Sequence, residues 1–284
     1  MVSSAARSLN LLTLGLAVSF FQVSARVELD KTPHPCKEKY EPSEISNWVN
    51  EHLKEVQGGH ATPHMLLTLG GSGAGKGTLI RAWKDVADTS KGHLHPDHFV
   101  FHGLDEYLDY IPEYRRTIED PEHVYKDAAD ACYPGAAIPA AKLAGKEIVE
   151  RRINAIYEET GKSVERIQKR VLPQFVEAGY RITVVLVDNK ADVAINRSAH
   201  RFQKRGRYAS EEYIRGTFGN NFESYTMLRG LDSVAEAVYC DNSAEDLRCW
   251  ADKTAADEPL LPAAMLLSGA PERLTEAEPH RSEL

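Results

Sequence analysis

Residues 70–78 read Gly-Gly-Ser-Gly-Ala-Gly-Lys-Gly-Thr, directly after the apolar run Met65-Leu66-Leu67-Thr68-Leu69 and before the helix-like Leu79-Ile80-Arg81-Ala82-Trp83. Glycines in such a run let the backbone turn inward so that successive N–H groups face one anion. Lys76 can then reach the terminal phosphates while the following helix presents its positive end. A Gly-rich surface turn needs neither the preceding strand, nor the Gly-Lys pair, nor the helix after it. The chemistry these residues predict is binding of a nucleoside triphosphate by Gly70, Gly73, Gly75, Lys76, Gly77 and Thr78.

One position departs from the common form of this loop. Gly77 follows Lys76, so the hydroxyl that usually ligates magnesium arrives one residue late, as Thr78. Kinases of the adenylate-kinase kind share the Gly-Lys-Gly-Thr ending, a resemblance that implies phosphotransfer to a small molecule rather than a switch or a motor. Thr78 is the expected Mg2+ contact, with water and distant carboxylates completing the shell.

Three further groups can do chemistry. Asp105 follows the short apolar run Phe99-Val100-Phe101. A carboxylate there can accept the proton of an attacking hydroxyl or order magnesium, or it can simply favour a helix N-terminus. Glu158, Glu159 and Thr160 follow a third strand in the same way. The densest basic stretch holds Arg197, Arg201, Lys204, Arg205 and Arg207. Arginines on such a segment can neutralise charge building on a transferring phosphoryl group, or they can form a solvated basic face. Gly161-Lys162-Ser163 is not a second phosphate loop, because Ile156 stands where its first glycine belongs.

These groups must be positioned by alternating strands and helices. A helix is expected from Ser43 to about Gln57, then the strand ending at Leu69, the phosphate loop and its helix, and a strand over 99–101. Tyr107 to Tyr133 is broken by Pro112, Pro121 and Pro134 into short helices. Next come a helix over 136–152, a strand over 154–157, a helix over 163–178 and the continuous apolar strand Arg181 to Val187. Helices over 192–204 and 210–223, a strand over 237–240 and a last helix over 244–251 complete the pattern. Alternation of this kind predicts an α/β fold, a P-loop NTPase-type doubly wound and mostly parallel sheet flanked by helices. Ligands in such sheets bind beyond the carboxyl ends of the strands, and Gly70 to Thr78, Asp105-Glu106, Glu158-Glu159-Thr160 and Asp188-Asn189 each follow a strand, whereas the arginines lie on and just after a helix.

The ends and the composition narrow the setting. Arg7, the apolar stretch Leu9 to Phe21 and Val23-Ser24-Ala25 have the layout of a secretory signal peptide cleaved after Ala25; an organelle-targeting leader also begins this way. The expected organisation is a signal peptide at 1–25, a polar arm at 26–42, a kinase domain at 43–252 and a disordered Ala-, Pro- and Glu-rich tail at 253–284. The secretory pathway, as a secreted or endoplasmic-reticulum protein, is the expected location. The final Ser282-Glu283-Leu284 is a weak match to a retrieval signal. A formal net charge of -8 argues against nucleic-acid partners. The 4 cysteines, Cys36, Cys132, Cys240 and Cys249, admit three pairings or remain as buried thiols.

Taken in order, the Gly-rich loop with Lys76, the strand leading into Asp105, Ile111-Pro112-Glu113-Tyr114, Tyr157-Glu158-Glu159-Thr160-Gly161 and the segment from Arg201-Phe202 to Arg207 resemble the zeta-toxin family of P-loop kinases. The resemblance runs from about His64 to Asn242. It implies that Asp105 is the base toward a sugar hydroxyl, that Arg201 and Arg207 close on the triphosphate, and that Glu158 and Thr160 contact the substrate. It further implies ATP with Mg2+ and a nucleotide-sugar acceptor such as UDP-N-acetylglucosamine. The family's acceptor-contacting acid has no counterpart in Ile138-Pro139-Ala140-Ala141-Lys142. That departure keeps open a nucleotide-binding pseudokinase or interaction module.

Overall fold

A computed structural model describes residues 27–33, 36–205, 207–244, 246–253 and 260–267. The expected leader therefore lies outside the described residues. The strands are β1 (Val27–Leu29), β2 (His64–Leu69), β3 (Val100–His102), β4 (His123–Tyr125), β5 (Ala155–Glu159), β6 (Arg181–Asp188), β7 (Val234–Asp241), β8 (Arg248–Lys253) and β9 (Leu266–Leu267). Seven of them form one sheet in the order β3-β5-β2-β6-β7-β8-β9. Pairing is parallel from β3 through β7 and antiparallel between β7 and β8.

The central strands are buried on both faces, as parallel strands must be when crossover helices cover them. Side chains alternate between two cores. Met65, Leu67 and Leu69 of β2 face the larger one with Val184 and Leu186 of β6; the helices Pro42–His52 and Ile138–Glu150 cover it with Val49, Leu53, Ala140, Ala144 and Ile148. Leu66 faces the other core with Ile156, Val185 and Val187, covered by Leu79, Ile80 and Trp83 of the helix Lys76–Val86. Each fully buried Leu or Val contributes about 1.5–3 kcal/mol of transfer free energy, so the two layers hold the sheet edge-on to its loops. Helices on both faces make the fold doubly wound.

The strand order creates the place for a ligand. After β2 the chain crosses to β3, returns to β5 beside β2, and then crosses to β6 on the other side of β2. The loops after β5 and β6 therefore diverge on either side of the loop after β2, which opens a crevice at their carboxyl ends.

Three expectations are corrected. The helix over 244–251 is instead β8, whose Cys249 lies opposite Cys240 and is bridged to it. Cross-strand pairing at a sheet edge overrides the weak local preference of a short helical stretch. The helix over 210–223 divides at Gly219-Asn220 into Glu211–Phe218 and Asn221–Arg229. Within the arm, β1 pairs in parallel with β4 in a sheet of its own. The tail returns to the body as well. Leu260 and Leu261 are buried, and the Leu260 N–H donates to Glu236 Oε2 at 2.9 Å. Residues 254–259 and 268–284 lie outside the described residues.

The cysteines are all paired, Cys36 with Cys132 and Cys240 with Cys249. Among the described residues no helix is long and apolar enough to cross a membrane.

Candidate active site

The phosphate loop lies between β2 and the helix Lys76–Val86, capped by Gly75. Gly75 has φ 106°, and a Cβ there would lie 1.9 Å from Asn242 Nδ2. Gly73 has φ 84°, with the Ala194 carbonyl oxygen 2.4 Å from the position of a Cβ. Both positions require glycine for conformation and for space. Asn242 enters from the loop after β7 and donates to the Ala74 carbonyl at 2.7 Å, which fixes the crown of the loop. Lys76 Nζ reaches back to the Gly70 carbonyl at 2.8 Å. Burial lowers the Lys76 pKa; Glu158 opposes that shift, and Arg201 adds to it. An ammonium drawn out of water in this way binds anionic oxygen strongly when one arrives.

The hydroxyl of Thr78 accepts a hydrogen bond from Arg81 Nη2 at 3.1 Å. Gly77 leaves the space in front of that guanidinium open, with Arg81 Nη1 4.0 Å from the position of a Cβ. A guanidinium on the hydroxyl is a poor setting for a direct magnesium ligand, so the Thr78 metal contact expected from the sequence has no support in this geometry. Among the described residues no group of three or more His, Cys, Asp or Glu side chains converges as a metal site.

Asp105 enters from the next strand. β3 ends at His102, and Gly103 caps the short helix Leu104–Leu108 with Asp105 in its first turn. Its Oδ1 accepts from the Tyr133 hydroxyl at 2.5 Å, and its Oδ2 is paired with the Arg207 guanidinium. Both partners of that ion pair keep about a third or less of their side-chain surface exposed, at 34% and 26%. Burial lowers the Arg207 pKa. Arg201, on the helix Ala191–Arg205, donates from Nη2 to Ser72 Oγ at 2.9 Å and so lies on the phosphate loop itself. Arg197 Nη1 is 3.5 Å from the position of a Cβ on Gly75. Three arginines thus reach the loop or the carboxylate beside it.

Glu158 and Glu159 belong to β5 itself, which runs two residues past its expected end. Glu158 faces Gly103, where a Cβ would lie 3.5 Å from Glu158 Oε2. Glu159 points elsewhere, into an ion pair with Arg166. Burial raises its pKa and Arg166 opposes the rise. Thr160 accepts from the Lys162 N–H at 3.3 Å, in the turn just past the strand. Glu106, beside Asp105, is pushed up to about 7 by burial, then by the charges of Glu158 and Asp109.

The zeta-toxin family model matches residues 50–247, more than half of the chain and all of the segments just described. The chain belongs to the zeta-toxin family. As a zeta-toxin-family protein it is a nucleotide-binding, kinase-like protein. Its fold is similar to a structure from the PezAT chromosomal toxin–antitoxin system of Streptococcus pneumoniae, with TM-score 0.56 and 15% identity over 83% of this chain and 91% of that one. A weaker likeness, TM-score 0.45 and 10% identity over 74% of this chain and 63% of that one, is to the AvrRxo1-ORF1:-ORF2 complex with ATP. No curated protein matches the chain in sequence.

Sequence reasoning on this zeta-toxin-family chain placed the phosphate loop, Asp105, Glu158 and Thr160 after strands and Arg201 and Arg207 on and just after a helix; the structure sets Arg201 on Ser72 and Arg207 on Asp105, while Thr160 contacts Lys162 within its own turn. Sequence reasoning missed Tyr133 and Asn242. Tyr133 lies 28 residues from Asp105 and Asn242 lies 168 from Ala74, so no local pattern links them. The one available signal for Asn242 was its place just after a strand, beside the region where Asp105 and Glu158 were found.

Proposed function

We propose that this protein is an ATP-dependent kinase that transfers the terminal phosphoryl group to a hydroxyl of a small molecule, with a nucleotide sugar of the UDP-N-acetylglucosamine kind as the acceptor. The observation that carries the reading is that two arginines close enough for their charges to act on Lys76 have different partners, Arg201 on Ser72 of the phosphate loop and Arg207 on Asp105, a carboxylate from the turn after β3. A loop that only binds nucleotide needs neither the carboxylate nor the second arginine.

In this reading Lys76 and the loop N–H groups hold the β- and γ-phosphates, which leaves the γ-phosphorus facing Asp105. Asp105 Oδ2 accepts the proton of the attacking hydroxyl as its oxygen bonds to phosphorus and the bond to the β-phosphate oxygen breaks. Arg201 and Arg207 offset charge on the equatorial oxygens, which requires Arg207 to exchange its carboxylate partner for phosphate. Glu158 and Thr160 border the acceptor. Magnesium, if bound with the triphosphate, would supply charge neutralisation, and the carboxylates whose charges reach Lys76, Glu158 and Glu159, could order its water. The acid that other family members place toward the acceptor is missing from Ile138–Lys142.

Incubating the protein with ATP, magnesium and a panel of nucleotide sugars, with mass detection of products, tests this directly. A product heavier by one phosphoryl group, absent with Lys76→Ala, is the expected outcome. Tight ATP binding with no transfer to any hydroxyl acceptor would replace the kinase with a pseudokinase.

We also infer that the protein enters the secretory route. Support comes from the leader-like residues 1–25 and from the pairing of every cysteine, which suits an oxidising compartment. Amino-terminal sequencing of protein from native cells is expected to begin at Arg26, and an intact Met1 would overturn it.

A further inference from the structure

Tyr133 touches Asp105 and follows Cys132 immediately in the chain. Cys132 ends the short helix Ala128–Cys132 and is bridged to Cys36, 96 residues earlier, with the two Cα atoms 5.0 Å apart. From Tyr133 the backbone runs through a π-helical turn, Tyr133–Ala137, that leads into the helix Ile138–Glu150. The turn is pressed against the arm. A Cβ on Gly135 would lie 2.4 Å from the Lys37 carbonyl oxygen and 2.7 Å from that of Glu38. The arm is anchored on its far side by Tyr40, whose hydroxyl donates to Glu113 at 2.8 Å.

The place of the Tyr133 hydroxyl is therefore determined by a contact between two distant parts of the chain, and one covalent bond closes that contact. Resting on the kinase reading above, we propose that Tyr133 is a positioning residue for Asp105 and that the Cys36–Cys132 disulfide holds it in place, so that phosphotransfer requires this pair to be oxidised. Reduction by a dithiol breaks the S–S bond, adds two electrons and two protons to give the Cys36 and Cys132 thiols, and leaves the reductant as its own disulfide. The arm then separates from the π-helical turn, and the Tyr133 hydroxyl loses its fixed distance to Oδ1. The second bridge is not needed for this effect, because Cys240–Cys249 joins two strands that already pair in the sheet.

The groups facing the Asp105 carboxylate are Tyr133 and Arg207, and the Tyr133 hydroxyl in turn feels Tyr114, Asp130, Tyr213 and Arg201. A hydroxyl donating to a carboxylate favours its charged form, so removing the donor moves the Asp105 titration to higher pH. A bridge that merely staples the arm would change stability and leave that titration where it was.

The test uses the full chain with Cys240–Cys249 intact, as wild type, as Tyr133→Phe and as Cys36→Ser/Cys132→Ser. The side-chain carboxyl of Asp105 is titrated by carbon NMR, assigned through Asp105→Asn, and transfer from ATP to UDP-N-acetylglucosamine is followed across pH. Expected are a titration midpoint higher by about one unit in both variants, kcat lower by about tenfold with KM for ATP within about twofold, and the same change in wild type treated with a dithiol, with a Cys240→Ser/Cys249→Ser chain left oxidised as the control for loss of the second bridge. If the double-serine chain fails to fold, Tyr133→Phe and dithiol-treated wild type carry the comparison. Wild-type midpoints in Tyr133→Phe, or loss of melting temperature alone on breaking the bridge, would overturn the proposal. Should wild type transfer nothing, the kinase reading fails, and the Asp105 titration alone decides whether Tyr133 and the bridge position the carboxylate.

Discussion

The Arg207 guanidinium is paired with Asp105, joining the segment after the helix Ala191–Arg205 to the first turn after β3. Arg201, on that helix, rests instead on Ser72 of the phosphate loop. The two arginines therefore have different tasks before any phosphate is engaged, although they are six positions apart. An arginine that pairs with the base holds it ionised and holds it in place, and it becomes a phosphate ligand only by exchanging partners.

Replacing either arginine by Ala is expected to lower kcat by roughly a thousandfold, the scale of arginine contacts to a transferring phosphoryl group. The pH profiles should separate them. Arg207→Ala removes a positive partner from Asp105, so the acid limb of the rate profile moves to higher pH, whereas Arg201→Ala leaves that limb in place. Steady-state kinetics between pH 5 and 9 distinguish the two, and rates unchanged in both variants would return these residues to a solvated basic face.

Asn242→Ala takes from the Ala74 carbonyl its 2.7 Å donor and leaves it the longer bond from Asn189 Nδ2 at 3.5 Å. Losing the better of two bonds to a buried acceptor costs about 1 kcal/mol, so ATP affinity is expected to fall by roughly five- to tenfold as the crown of the loop relaxes. Asn242→Asp should be worse, because it sets a carboxylate against that carbonyl. Titration calorimetry reads both variants, and full affinity in Asn242→Asp would remove Asn242 from the site.

Glu106 titrates near 7 in the folded chain, pushed up from 4.5 mainly by burial. An acid whose folded pKa is raised contributes stability that is complete below about pH 4.5 and is lost as pH rises through 7. The loss is on the order of 3–4 kcal/mol, since each unit is worth about 1.4 kcal/mol. Glu106→Gln, which stays neutral, should flatten the fall in melting temperature between pH 5 and 8. Parallel curves for wild type and variant would show that Glu106 is ionised throughout.

The parts of this molecule legible in the sequence are those dictated by neighbours in the chain. Gly70 to Thr78 announce themselves because the loop needs glycine at set positions between a strand and a helix, and Asp105 because a strand ends just before it. Arg201 and Arg207 were readable as a basic cluster, but their separate partners were not. Ser72 lies 129 residues from Arg201. The segment 244–251 read as helix because its local preference is weak, while the bond that decides it, Cys240–Cys249, is a matter of sheet pairing. The strand β1 was hidden for the same reason, since its partner β4 lies in a stretch broken by prolines. Leu260 and Leu261 were lost in a polar tail, although Glu236, buried in β7, supplies the acceptor that brings them back.

Asp105→Asn tests the central claim most directly. It keeps the size of the side chain and its place in the first turn of the helix Leu104–Leu108. The capacity to take a proton is removed, together with the charge that pairs with Arg207. With ATP affinity measured by calorimetry and transfer to UDP-N-acetylglucosamine measured by mass, the account predicts binding within about threefold of wild type and a rate lower by at least a hundredfold. Transfer at the wild-type rate by Asp105→Asn would contradict it.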